Sequence, residues 1–289
     1  MKSWFNVCFT SSRMMRAVLT VYLSTAVLAG VTFAARVQDV NVPSLSMNRQ
    51  IPAIVILPDS YFKTDRTYPV VYLLHGYSSN PRQTFNLAGD ILTAAADKYE
   101  MIIFLPDGGF NSWYFDSPVQ PQQKYETHIA NEIVHFADSN FRTIPSAWAR
   151  AITGGSMGGH GAMFVALRHR DIFGSVGSLS GAVDFRPFPE NWDIKQILGT
   201  ITQFPQRWDE YVVINNLQSL KPGELTIYLD IGTKDAFIEV NRALHKKLLV
   251  MDIPHIYIER PGHHDDPYWK VAIKYQLFFF SEVFKEKSV

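Results

Sequence analysis

The pentapeptide Gly154-Gly155-Ser156-Met157-Gly158 carries the most specific chemistry in this sequence. It fits G-x-S-x-G, and it stands directly after a strand-like run and directly before a helix-like one, where that spacing makes a nucleophile. A serine there occupies a tight, strained turn, and glycine neighbours keep clear of its backbone. The turn lifts the hydroxyl above the sheet and places the Met157 N–H at a helix N-terminus. Free N–H groups and a partial positive charge make that end suited to an oxyanion. Without this context the same five residues would be only a glycine-rich turn with an incidental serine.

A serine hydroxyl is a poor nucleophile until a base takes its proton. The base is sought late in the chain, on a loop after a strand, and the strand His255–Ile258 runs into Arg260-Pro261-Gly262-His263-His264-Asp265-Asp266. Two histidines compete there. His264 is favoured as the base, and one of the pair is a surface turn residue beside acids. His-His-Asp-Asp also offers four potential metal ligands, but adjacent residues rarely converge on one ion, so no metal is expected. The imidazole needs a carboxylate to orient it and to stabilise its positive charge. Asp235, at the end of Gly232-Thr233-Lys234, follows the strand Leu225–Ile231 and meets that need. Asp230 is the runner-up, but it lies inside the strand.

A second oxyanion donor comes from the loop after an earlier central strand. In Leu74-His75-Gly76-Tyr77 the glycine lets the backbone approach the substrate, and the Tyr77 N–H is the donor. His75 is read as a brace for this loop, not as a base. The reaction these groups support is acyl transfer through a covalent serine ester, with neither metal nor organic cofactor. The chain order Ser156, Asp235, His264 is the one expected of α/β-hydrolases, not of the chymotrypsin or subtilisin arrangements.

The elements that must position these residues alternate along the chain. Strands are expected at Ile51–Leu57, Tyr68–Leu74, Met101–Leu105, Trp148–Thr153, Val176–Leu179, Leu225–Ile231 and His255–Ile258. Helices are expected at Thr84–Tyr99, Glu126–Phe141, Met157–His169, Ala236–Val250 and Pro267–Phe284. Such alternation implies an α/β fold, with a mostly parallel central sheet and helices on both faces. Residues 35–289 read as one domain, for no linker divides them. Arg186–Leu217 is irregular and aromatic, and reads as an insertion over one end of the sheet. Its Trp192, Phe204 and Trp208 fit equally a sugar or aromatic-acid contact and the packing of a lid.

The charge-free run Ala17–Ala34, 18 residues long, follows Lys2, Arg13 and Arg16, and no acid precedes Asp39. This pattern is that of an export signal, residues 1–34, with cleavage after Ala34 or, in competition, Ala29. Met14 is an alternative start, and an uncleaved membrane anchor is the rival reading. Thr20, Ser24, Thr25, Gly30 and Thr32 dilute its hydropathy and favour the signal. Cleavage leaves a chain with no stable membrane insertion, located in the periplasm or outside the cell. The whole sequence has 27 basic and 27 acidic residues, which argues against nucleic acid as a partner. The single cysteine, Cys8, lies within the signal, so neither disulfides nor a cysteine zinc site is expected.

These motifs together resemble the putative-esterase branch of the α/β-hydrolase superfamily, which includes S-formylglutathione hydrolases, tributyrin esterases, feruloyl esterases and mycolyltransferases. The matching pieces are Leu73-Leu74-His75-Gly76, Pro106-Asp107-Gly108, Gly155 to Ala162, Gly232-Thr233-Lys234-Asp235, Pro261-Gly262-His263-His264-Asp265 and Tyr268-Trp269, within about Ser44 to Phe284. Relatives usually read Pro-Gly-Gly-His-Asp in the last histidine motif, so the resemblance makes His264 the base and leaves His263 without a role. It also implies that Trp113 lies near the substrate pocket, the alternative being an aromatic packed under a loop. An exported member of this group is expected to cleave acetyl, feruloyl or similar short acyl groups from small-molecule or polysaccharide-linked esters. S-formylglutathione is disfavoured because it arises in the cytosol. A mycolyl-type acyltransferase, a peptidase, and a non-catalytic carbohydrate-binding protein on the same fold are the remaining alternatives.

Overall fold

The computed structural model describes residues 34–288. Apart from Ala34, the expected export signal lies outside them. The strands are β1 (Arg36–Ser44), β2 (Arg49–Leu57), β3 (Val70–Leu74), β4 (Ile102–Pro106), β5 (Arg150–Gly154), β6 (Ser175–Leu179), β7 (Thr226–Gly232) and β8 (His255–Arg260). The helices are α1 (Pro81–Tyr99), α2 (Tyr125–Thr127), α3 (Ile133–Asn140), α4 (Met157–Arg168), α5 (Ile194–Leu198), α6 (Pro205–Tyr211), α7 (Ile238–Val250) and α8 (Asp266–Lys287). One sheet holds all eight strands in the order β1-β2-β4-β3-β5-β6-β7-β8. β1–β2 and β2–β4 pair antiparallel, and every later pair is parallel. This is the expected α/β-hydrolase architecture.

Alternation within β3 shows how the strands divide the core. Val70, Tyr72 and Leu74 face a cluster that also holds residues of α3, α4 and α7, whereas Val71 and Leu73 face one built with α1 and α8. Both faces of β3 are therefore buried, which explains its unbroken apolar sequence. α1 begins where the Asn80 side chain accepts from the Gln83 N–H, with Pro81 in the first turn. α8 begins the same way, the Asp265 side chain accepting from the Tyr268 N–H.

Two elements differ from expectation. β1 is an added edge strand, mostly solvent-exposed, whose polar sequence gives little apolar pattern. Glu126–Phe141 is not one regular helix: a π-helical turn, His128–Glu132, separates α2 from α3. The wider turn buries His128, Ile129 and Ala130 together, and His128 Nδ1 bonds Glu132 Oε2 at 2.9 Å.

Candidate active site

Strand register brings the functional loops to one end of the sheet. Leu74 and Gly154 are paired partners at the C-terminal ends of β3 and β5, so the loops bearing Tyr77 and Ser156 leave side by side. Gly232 and Arg260 pair likewise at the ends of β7 and β8, and bring together the loops bearing Asp235 and His264. Those two loops are tied by Thr233 N–H to the Arg260 carbonyl, 2.8 Å, and Lys234 N–H to the Gly262 carbonyl, 2.9 Å.

Ser156 adopts φ 57° and ψ −117°, a conformation that costs a non-glycine residue energy and persists only where neighbours enforce it. Its N–H donates to the Leu179 carbonyl of β6 at 2.9 Å. The glycines on either side allow the turn to close. A Cβ on Gly158 would sit 2.3 Å from the Leu74 carbonyl oxygen, and one on Gly154 2.5 Å from the Gly158 backbone.

Ser156, His264 and Asp235 are joined in a line. His264 Nδ1–H donates to Asp235 Oδ2 at 2.9 Å, and the Ser156 hydroxyl donates to His264 Nε2 at 2.9 Å. Asp235 is buried, and its other oxygen accepts from the Phe237 N–H at 2.8 Å, so the carboxylate is held from both sides. The imidazole lies between the edges of Phe237 (5.2 Å) and Trp269 (5.0 Å). Asp230 is turned elsewhere, to an ion pair with Arg260 and a hydrogen bond from Tyr268. His263 is exposed. Among the described residues, no group of three or more His, Cys, Asp or Glu is disposed to hold a metal ion.

The loop bearing Tyr77 passes close to the serine, for a Cβ on Gly76 would lie 3.7 Å from Ser156 Cβ. His75 braces this loop from inside. Its Nε2 accepts from the Gly108 N–H at 2.8 Å, its Nδ1–H donates to the Gly76 carbonyl at 2.9 Å, and its own carbonyl accepts from the Tyr114 hydroxyl at 2.9 Å. Met157 is the first residue of α4, so its N–H has no carbonyl partner inside the helix. One turn on, buried His160 donates from Nδ1 to the Ala182 carbonyl at 2.9 Å, and burial pushes its pKa down to about 4.

A cavity of about 790 Å³ opens over Ser156. Tyr77, Trp192, His264 and Trp269 line it together with the serine, as do Gln83 and Asn86 of α1 and Lys270 of α8. Trp113 is not among its lining residues. It is 1% exposed, packs against His160 and Phe185, and donates from Nε1 to the Trp192 carbonyl at 3.1 Å. It thus underlies a lining residue. Trp208 is likewise fully buried, donating to the Gly199 carbonyl, so of the insertion's two tryptophans only Trp192 faces the cavity. Phe237, which touches both Trp192 and His264, has no local pattern that distinguishes it from a core residue.

Comparison with known proteins adds relatives to this geometry. A family model described as putative esterase matches residues 44–280. An esterase of Mycobacterium tuberculosis is 40% identical over 136 residues, which are 46% of this chain and 29% of that protein. The chain thus spans under a third of that relative's length. The acetyl esterase of Caldicellulosiruptor saccharolyticus is 27% identical over 267 residues, covering 86% of this chain and 98% of the relative. Among solved structures, a ferulic acid esterase superimposes with a TM-score of 0.74 at 25% identity, covering 87% of this chain and 99% of the other.

Proposed function

Since the chain belongs to the putative-esterase family, we propose that it is an exported serine carboxylesterase that cleaves short acyl esters through an acyl-serine intermediate. The observation that carries this reading is His264, whose two ring nitrogens meet Ser156 and Asp235 at once. As Ser156 Oγ attacks the ester carbonyl carbon, its proton passes to His264 Nε2. Asp235 holds the ring and stabilises the imidazolium through Nδ1–H. The carbonyl oxygen becomes an oxyanion facing the Tyr77 and Met157 N–H groups. His264 then gives its proton to the departing alcohol oxygen as the C–O bond breaks. Water enters, gives a proton to the same nitrogen as its oxygen attacks the acyl carbon, and the acid leaves as the C–Oγ bond breaks and His264 returns that proton to Ser156 Oγ.

Acetyl and feruloyl groups are the proposed acyl parts, carried on small molecules or polysaccharides. The likeness to an acetyl esterase and to a ferulic acid esterase supports this. So does a cavity lined both by aromatic rings and by the amides of Gln83 and Asn86. Export rests on the charge-free run Ala17–Ala34, and N-terminal sequencing of the secreted protein is expected to begin at or near Ala35. The enzyme assay is a panel of p-nitrophenyl esters with acetylated and feruloylated xylan. Ser156→Ala is expected to lower turnover by roughly four to six orders of magnitude and to abolish labelling by a fluorophosphonate. Full activity or equal labelling in that variant removes Ser156 from the mechanism.

A further inference from the structure

The loop that supplies the Tyr77 N–H is anchored by a residue far away in the chain. Tyr77 is held at its ring by Phe110, edge to face at 5.1 Å, and at its hydroxyl by Asp193 Oδ2, 2.9 Å. The same oxygen accepts from Asn111 Nδ2 at 3.3 Å, and Oδ1 accepts from Gln196 Nε2 at 2.9 Å. Asp193 is therefore a junction among the oxyanion loop, the Asn111–Trp113 loop and the insertion.

The backbone at this junction is unusual. Trp192 and Asp193 have φ of 51° and 56°, and Trp113 and Tyr114, on the loop they meet, have φ of 55° and 61°. Four non-glycine residues in the left-handed region cost energy that their contacts must offset. The contact joining the two pairs is the bond from Trp113 Nε1 to the Trp192 carbonyl. Trp192 in turn lines the cavity over Ser156 and packs on Phe237, which packs on His264.

We propose that Asp193 is a positioning residue that sets the Tyr77 main-chain N–H and the Trp192 wall together, so that the oxyanion site and the cavity over Ser156 are placed as one unit. It acts through Tyr77 and Trp192 and does not touch the reacting atoms. This rests on the hydrolase reading, in which the Tyr77 N–H receives the oxyanion. An oxyanion donor contributes only when it lies at hydrogen-bond distance from the developing charge, so its displacement lowers kcat more than substrate binding.

The test compares wild type, Tyr77→Phe, Asp193→Ala, the double variant and Asp193→Asn. Tyr77→Phe removes one hydroxyl and leaves the contact with Phe110, so it tests the anchor even if Asp193→Ala fails to fold. Two readouts are taken: kinetics on p-nitrophenyl acetate, and affinity for phenylboronic acid. The boronic acid binds by forming an Oγ–B bond to Ser156, the serine proton passing to His264 and a boron hydroxyl taking the oxyanion position. In Tyr77→Phe and in Asp193→Ala kcat is expected to fall by about tenfold or more with KM within about threefold, part of the 10²–10³ that complete loss of a donor costs. Boronate affinity should fall in parallel. The double variant should be no worse than the poorer single one within about threefold, because both break one contact. Asp193→Asn, which keeps an acceptor for Tyr77, should restore kcat to within about threefold of wild type. A kcat loss under about fivefold in Tyr77→Phe, a loss confined to KM, unchanged boronate affinity, or additive losses in the double variant refutes the anchor. Boronate affinity reads the oxyanion site even in a protein that turns over none of the esters, so failure of the esterase reading and failure of the anchor are told apart.

Discussion

Burying a neutral histidine one turn into the helix that carries Ser156 makes the fold sensitive to acid, by an amount that can be worked out. The His160 ring is fully buried among Trp113, Phe115, Phe164 and Phe185, with Nδ1–H bonded to Ala182. Burial lowers its pKa from 6.5 to about 4. Well above pH 6.5 the ring is neutral both folded and unfolded, and its contribution is constant. Below 6.5 the unfolded chain takes up a proton that the folded protein refuses until about pH 4, so stability falls as pH falls through that window and levels off beneath it. The full loss is about 3 kcal/mol, and most of it has occurred by pH 4.5. Other groups titrate over the same range, so the quantity to follow is the difference between wild type and His160→Gln. Glutamine retains a donor for Ala182 and does not titrate. Urea unfolding from pH 7.5 to 4.5 should show the wild-type advantage constant above about pH 7 and then shrinking by about 2–3 kcal/mol. A difference that stays level within about 0.5 kcal/mol, or grows with acid, refutes the argument that His160 is held neutral.

Three further outcomes follow from the same geometry. His264→Ala should abolish ester hydrolysis while His263→Ala keeps it within about tenfold; the reverse pattern, at matched circular dichroism, would move the base to His263. Gly158→Ala should cost about 3 kcal/mol, since its Cβ meets the Leu74 and His75 carbonyls at 2.3 and 2.7 Å, whereas Gly155→Ala, whose Cβ has nothing nearer than Trp269 at 3.9 Å, should change stability by less than about 1 kcal/mol. Equal denaturation midpoints for the two would contradict the packing account. Arg260→Leu should destabilise by about 3–5 kcal/mol, because it leaves the wholly buried Asp230 carboxylate with the Tyr268 hydroxyl but no cation. An unfolding free energy within about 1 kcal/mol of wild type would show that the pair contributes little.

What the sequence reveals follows the reach of its patterns. β3 to β7 are legible because their burial on both faces demands continuous apolar runs, and Ser156 because its turn requires glycines at fixed offsets. Asp235 and His264 are legible as residues at strand ends, and the structure brings both to Ser156. β1 is hidden because an exposed edge strand need not be apolar, and Arg36 to Asp39 are all solvent-exposed. Trp113 shows the limit of motif reasoning: a position near the pocket does not say whether the ring faces it, and here the indole is beneath Trp192. Asp193 has no local signature, since its partners Tyr77 and Asn111 are 116 and 82 residues away.

Ser156 and His264 are separated by 108 residues of chain. Ribosomes add about 5–20 residues per second, so a newly made serine waits about 5–20 s before its histidine exists. Throughout that interval the serine hydroxyl is chemically ordinary, because the proposed activation needs Asp235 and His264, which follow β7 and β8. On the proposed mechanism, a chain made only as far as α4 would therefore offer no activated acyl acceptor to the esters around it.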